Sequence, residues 1–254
     1  MHPILFKIGP ITIYTYGFLM AVAIISAILL TAYRAEKRGY DKNIIYDLAF
    51  YGVIGGILGA KLLYIIAEAP TVFKNPKSIL YMLTSGFVVY GALIGGVLSG
   101  YIYCKKKGLN FLKMFDLAAP SMALAQSIGR QGCHFAGCCY GRPTDSPFGV
   151  IFKESPFAPN GVKLIPTQEI SSLGNFIIFL ILLNYSKKER SDGKVAGLYI
   201  LLYSIGRFII EFFRGDFRGN VGPLSTSQFI SIITFVIALL FLNLDKIKRN
   251  LRAS

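Results

Sequence analysis

Residues 195–213 read Val-Ala-Gly-Leu-Tyr-Ile-Leu-Leu-Tyr-Ser-Ile-Gly-Arg-Phe-Ile-Ile-Glu-Phe-Phe, and Arg214 follows at once. A helix needs about 20 mostly apolar residues to cross a bilayer, and this run has that length and character. Its only charges are Arg207 and Glu211, near its far end. Spacings of four and then three residues put Arg207, Glu211 and Arg214 on one helix face, where the first two can pair and the third continues the stripe. A cation near a bilayer centre costs about 2.5–3.5 kcal/mol even on the lenient insertion scale, so such groups face a polar cavity or a partner helix. Two readings follow from the helix alone: an anion-binding site, or a structural Arg–Glu pair tying two helices together.

The rest of the chain fits a membrane setting. It has 254 residues, of which 54% are hydrophobic and only 16% charged, with a mean hydropathy of +0.54. That is too little polar surface to cover a soluble globule. The expected fold is an all-α integral membrane protein forming one domain over 1–254. Seven spans are expected: Ile11–Tyr33, Ile44–Ile66, Phe87–Tyr103, Asp116–Ile128, Ile170–Tyr185, Val195–Phe213 and Phe229–Leu244. The first lacks a compact signal-peptide core and a small-residue cleavage site, so it reads as a retained span. The fourth is short and holds Pro120, Ser121, Gln126 and Ser127, which suits a helix buried in the bundle. The apolar stretch Ser78–Ser85 is too short to cross and reads as a re-entrant or interfacial piece.

Four connecting segments carry four basic residues each: Arg34, Lys37, Arg38 and Lys42; Lys105, Lys106, Lys107 and Lys113; Lys187, Lys188, Arg190 and Lys194; and Lys246, Lys248, Arg249 and Arg252. These segments follow spans one, three, five and seven, so the positive-inside rule makes their side cytoplasmic and puts the N-terminus outside. The net charge of +14 therefore reads as topology and attraction to anionic headgroups. Spread over four short segments without a nucleic-acid motif, it does not point to nucleic acid. Gly52, Gly55, Gly56 and Gly59 in span two, and Gly91, Gly95, Gly96 and Gly100 in span three, include small-x-x-x-small spacings that let helix backbones approach closely. Gln131–Pro166 becomes an extracytoplasmic head.

Depth then selects the unusual residues. At 1.5 Å per residue Arg207 lies roughly 18 Å along a core of about 30 Å. Glu211 and Arg214 approach the outer surface, Lys61, Tyr16 and Tyr90 fall in the outer half, and Arg130 closes span four on that side. Arginine offers phosphate oxygens a planar fork of donors and lysine a point charge, so this set suits an anionic headgroup of the outer leaflet. Lys61 and Arg214 equally suit simple snorkelling to the interface.

At these residues the sequence resembles the prolipoprotein diacylglyceryl transferase family. Gly129-Arg130-Gln131-Gly132 leading to Gly141-Arg142 looks like its signature region, and Arg207 to Arg214 is similar to its late Arg-x-x-x-Glu-x-x-Arg helix. Tyr16-Gly17, Gly59-Ala60-Lys61 with Tyr64, Gly91–Gly96 and Pro166-Thr167-Gln168 follow in family order. The resemblance implies transfer of the diacylglyceryl group of phosphatidylglycerol to the lipobox cysteine of a prolipoprotein, at the outer face of the bacterial plasma (inner) membrane, by a multi-pass monomer. The implied partners are phosphatidylglycerol, the prolipoprotein signal-peptide and lipobox region, and membrane lipid. No metal or redox cofactor is required.

On this reading Arg130 and Arg207 bind phosphate and stabilise the leaving group, and Tyr90 orients headgroup or thiol and assists as a weak base. These three are the candidate catalytic residues. Tyr16, Lys61, Glu211 and Arg214 are the candidate substrate-binding residues, with Glu211 fixing Arg207 and Tyr16 orienting the headgroup. The chain departs from the best-known members, whose histidine stands where this sequence has Tyr90. Family Asn, Asn and Glu positions are Cys133, Ala136 and Cys138, and another family His is Ile165. Two alternatives stay open: a paralogous phospholipid-dependent transferase with another acceptor, and a non-catalytic lipid binder or transporter.

The four cysteines, Cys104, Cys133, Cys138 and Cys139, are too few and too unevenly placed for a disulfide scaffold. Cys133 and His134 with Cys138 and Cys139 invite a metal reading. Their Cys-His-x3-Cys-Cys spacing lacks the paired Cys-x2-Cys units of structural zinc sites, so an outer-face disulfide or buried thiols are expected instead.

Overall fold

A computed structural model describes residues 3–69, 86–216 and 219–253. Beyond Asn243 only the helical backbone is described, and both the Ser78–Ser85 stretch and His2 lie outside the described residues. Among the described residues there are seven helices: α1 (Thr15–Glu36), α2 (Lys42–Ala67), α3 (Val89–Lys106), α4 (Phe111–Ala136), α5 (Thr167–Tyr185), α6 (Lys194–Glu211) and α7 (Thr226–Ala253). Three two-stranded antiparallel ribbons accompany them: β1 (Ile4–Ile8) with β2 (Ile11–Tyr14), β3 (Val150–Ile151) with β4 (Lys163–Leu164), and β5 (Asn220–Val221) with β6 (Leu224–Ser225). The protein is thus predominantly helical. Among the described residues four helices are long and apolar enough to cross a membrane: Thr15–Glu36, Lys42–Ala67, Thr167–Tyr185 and Thr226–Asn243. At most 28% of any of their apolar windows is buried within the protein, so their remaining surface suits lipid rather than water.

The chain divides into two compact units, Thr31–Met114 and the remainder, Met1–Leu30 with Phe115–Ser254. In the first, α2 and α3 meet backbone to backbone. A methyl on Gly59 would collide with the Gly91 carbonyl and lie 2.9 Å from Gly95 Cα, and one on Gly95 would strike the Gly55 carbonyl. The small-residue spacing therefore sets this contact, while Gly52 lies beside open space. The Tyr103 hydroxyl donates to Asp47 Oδ2 at 3.0 Å and ties the same two helices at one end.

In the second unit Ala119 and Ala123 of α4, Phe179 and Leu182 of α5, and Val195 and Tyr199 of α6 form one buried cluster. Helix α4 is twice as long as the expected Asp116–Ile128 span, and Ser127 and Gln131 near its far end have partners on α5. The Ser127 hydroxyl donates to the Ser172 carbonyl at 2.8 Å, Ser172 returns the bond to the Ser127 carbonyl at 2.9 Å, and Gln131 Nε2 donates to Glu169 Oε2 at 2.8 Å. Reciprocal serine bonds hold membrane helices together without an apolar stripe, which is why hydrophobicity alone misses them. Consequently Gly129–Gly132 is helical, and the head begins at Gly137 rather than at Gln131. Its small core is Phe152, Ala158 and Leu164. The first span also differs from expectation, since residues 11–14 belong to a hairpin and the helix starts at Thr15.

Helix α6 is preceded by Gly193 at its N-cap, whose lack of a side chain leaves no local cap. Asp116 of α4 supplies one, accepting from Gly193 N at 2.8 Å and Ala196 N at 2.7 Å. A carboxylate there satisfies orphan amides and complements the helix dipole. At the other end Phe212 and Phe213 form a turn, and Arg214 is not helical but bridges to Gly141 in the head.

Candidate active site

Tyr199, Tyr203, Arg207 and Glu211 follow one another at intervals of four along α6, so they form one longitudinal stripe. Arg207 Nη2 lies 2.6 Å from Glu211 Oε2 and donates to the Ser227 hydroxyl of α7 at 2.7 Å. Its other terminal nitrogen, Nη1, is buried and has no hydrogen-bond partner. A buried donor without an acceptor costs about 1–3 kcal/mol, and more when charged, so this atom is poised for an anionic acceptor. Tyr203 lies within electrostatic range of the Arg130 guanidinium. Arg130, Arg207 and Tyr203 line one cavity of about 630 Å³. Ser171 and Asn175 of α5 and Thr144 and Ser146 of the head add polar atoms, while Ile165, Ile170, Ile178, Ile209 and Phe213 make much of the rest of the wall apolar. Two cations within an apolar enclosure match a ligand with an anionic end and a hydrocarbon body.

The remaining expected residues are placed as follows. Arg214 forms a two-pronged pair with Asp216, at 2.9 and 2.6 Å, and its carbonyl accepts from Arg142 Nε at 3.2 Å. It stays 3.9 Å from Glu211 and does not line the cavity. Tyr16 packs over α4 where Gly132 leaves room, 3.3 Å from the position a side-chain carbon there would take, within electrostatic range of Arg130 and of Cys133, Cys138 and Cys139. Lys61 and Tyr90 belong to the other unit. Lys61 Nζ donates to the Gly86 carbonyl at 3.1 Å and sits 4.1 Å from the Phe87 ring centre. Tyr90 occupies the first turn of α3, partly exposed.

The segment after α4 is held from α5. The Thr167 hydroxyl donates to the Cys139 carbonyl and Gln168 Nε2 to the Cys138 carbonyl, both at 2.8 Å. Gly137 (φ 73°) ends the helix in the left-handed region, and Cys138 N reaches back to the Cys133 carbonyl at 3.2 Å. This is the six-to-one bond of a Schellman cap. Hydrogen bonding with Cys133 and then Cys139, followed by burial, pushes the Cys138 thiol up from its ordinary value, which disfavours it as an enzyme nucleophile. His134 turns Nδ1 toward Glu169 Oε1, 3.1 Å away.

Sequence reading did not single out Tyr203, Asn175 or Ser227. Tyr203 had a signal, its place four residues before Arg207. Ser227 and Asn175 lie on other helices and had none.

The family model described as prolipoprotein diacylglyceryl transferase matches residues 3–244. The chain belongs to the prolipoprotein diacylglyceryl transferase family. It is 51% identical to the phosphatidylglycerol–prolipoprotein diacylglyceryl transferase of Clostridium tetani over 249 residues, 98% of this chain and 100% of that one. It is 46% identical to the second such transferase of Clostridium perfringens, covering 98% of this chain and 97% of the relative. The enzyme of that name from Clostridioides difficile is 36% identical, over 92% and 91% of the two chains. Membership in this membrane-embedded family accords with the four apolar helices among the described residues.

Proposed function

We propose that this protein transfers the diacylglyceryl group of phosphatidylglycerol to the lipobox cysteine of a prolipoprotein, the donor and acceptor class named for its relatives. The observation that carries the proposal is that Arg130 and Arg207 line one largely apolar cavity, with Arg207 Nη1 left without a hydrogen-bond partner. In the reaction the cysteine thiol loses its proton, its sulfur forms a bond to the terminal glyceryl carbon of the diacylglyceryl group, and the carbon–oxygen bond to phosphate breaks. Glycerol phosphate leaves with the bonding pair. Charge grows on the phosphate oxygens, where fixed guanidinium donors in a water-poor site stabilise it. Glu211 and Ser227 occupy Arg207 Nη2 and thereby orient Nη1.

On this proposal the chain crosses the plasma membrane seven times, with the N-terminus and the head outside and the C-terminus in the cytoplasm. The sixteen basic residues of the four opposite segments support that orientation. The functional test is expression in cells depleted of their own transferase, with mass spectrometry of a lipobox reporter. Addition of diacylglycerol that depends on Arg207 supports transfer; an unmodified reporter beside folded, membrane-inserted protein refutes it. For orientation, cysteines placed at exposed Phe148 and Arg190 should react with an impermeant reagent from outside at 148 and not at 190, over the parent background. The reverse pattern overturns the topology.

A further inference from the structure

The Sγ atoms of Cys133, Cys138 and Cys139 all lie within 4.8 Å of one another. None of the three is in a disulfide. The cap at the end of α4 accounts for only two of them. In a Schellman motif the side chain after the glycine commonly touches the one five or six residues earlier, so contact between Cys138 and Cys133 is the usual accompaniment of that bond.

Cys139 is not explained in this way. Its φ of 63° makes it the one non-glycine residue with positive φ among the described residues. A non-glycine residue in the left-handed region costs of order 1 kcal/mol and persists where the surroundings dictate it. Here the Thr167 bond to its carbonyl holds it, and its sulfur is returned to the other two. A packing role would be served as well by three apolar side chains and needs no such backbone.

We infer that these three cysteines form a binding site for one thiophilic d10 cation, Zn2+ or Cu+, with a coordination position left open. Zinc–thiolate bonds of about 2.3 Å put tetrahedral sulfurs about 3.8 Å apart, so from the observed separations each sulfur moves by only about half an ångström. The set contains no oxygen donor, which excludes hard cations such as Mg2+ and Ca2+. His134 does not complete it, because its Nδ1 faces Glu169. On binding, each thiol gives its proton to solvent as the metal–sulfur bond forms. Three thiolates around Zn2+ leave one negative charge, and around Cu+ two. Arg130 lies within electrostatic range of Cys133 and Cys139, so that excess charge meets a cation already in place. The expected Cys-x2-Cys spacing is absent because a helix cap and a left-handed residue bring the sulfurs together instead of a zinc-ribbon turn.

The test uses the full-length protein in detergent under reducing, anaerobic conditions, with Zn2+ in one arm and Cu+ in the other. One equivalent should bind tightly in at least one arm, and X-ray absorption should find three sulfur neighbours at about 2.3 Å. Losing a group that merely supports a ligand lowers affinity about 10–100-fold, so Cys133→Ser, Cys138→Ser and Cys139→Ser should each lower it at least that far. Cys104→Ser, in the other unit, should leave it unchanged. Sulfur counting on the unsubstituted protein decides the matter even where a serine variant fails to fold. Only nitrogen and oxygen neighbours, no tight binding in either arm, uptake indifferent to the three substitutions, or two cysteines that resist alkylation until reduced would each overturn the inference, the last by showing a disulfide.

Discussion

Replacing Arg207 with lysine isolates the atom on which the proposed chemistry depends. The guanidinium does two jobs at once: Nη2 meets Glu211 and Ser227 at 2.6 and 2.7 Å, while Nη1 has no partner. A lysine ammonium is a point charge that remains with Glu211, so Arg207→Lys keeps the buried ion pair and deletes the free donor. Arg207→Ala is a poorer probe, because removing one partner of a buried pair costs about 3–5 kcal/mol and confounds folding with catalysis. Removing one preorganised donor from a developing oxyanion costs about 2.7–4 kcal/mol, or roughly 10²–10³ in kcat. Arg207→Lys should therefore lose that much kcat in an assay with phosphatidylglycerol and a lipobox peptide, with its thermal midpoint in detergent within a few degrees of the parent. Unchanged kcat would remove Nη1 from the mechanism. A raised KM at constant kcat would reduce it to ground-state binding of the headgroup.

Glu211→Gln leaves Arg207 without its buried counter-charge, so both the thermal midpoint and the transfer rate should fall; a variant with parental values of both would show the pair to be dispensable. Thr167→Val removes a donor to the Cys139 carbonyl, and losing that hydrogen bond should cost about 0.5–1.5 kcal/mol in denaturant or thermal unfolding. An unchanged midpoint would mean that water or another donor replaces the hydroxyl. Gly59→Ala should destabilise the α2–α3 contact, where no space exists for the added carbon, while Gly52→Ala, beside open space, should not. Equal thermal midpoints for the two would contradict direct backbone contact. Tyr90→Phe should slow transfer without abolishing it, as measured on the reporter; indistinguishable rates would leave Tyr90 a packing role.

What could be read in advance was whatever depends on spacing along a single helix. The Arg207–Glu211 pair follows from a separation of four, and the meeting of Gly55 and Gly59 with Gly91 and Gly95 follows from small residues at the same interval. Features that depend on a partner elsewhere in the chain were not legible. Helix α4 continues past Ile128, where Ser127 and Gln131 have acceptors on α5, and nothing near residue 128 announces those acceptors. Arg214 sits where a continued helix would join it to the stripe, yet the helix stops at Glu211 and its side chain turns to Asp216. Thr167 and Gln168 look like the start of a span, and they are also the clamps on the cysteine segment. The left-handed Cys139 has no local signal, since cysteine is not a residue that favours that conformation.

The carboxylate of Asp116 acts as a ruler. It fixes where α6 begins, and it stands on the same helix that carries Arg130 fourteen residues later. The start of one rod and the working end of the other are therefore referenced to a common origin, and Tyr203 of the second rod shares one cavity with Arg130 of the first. A single residue deleted between Asp116 and Arg130 would swing the guanidinium by about 100° around its axis and detach it from that frame. Insertions in the head between Gly149 and Lys163 leave both rods untouched. The interval from Asp116 to Arg130 and that from Gly193 to Arg207 therefore behave as fixed dimensions, whereas the length of the segment between Gly149 and Lys163 does not enter them.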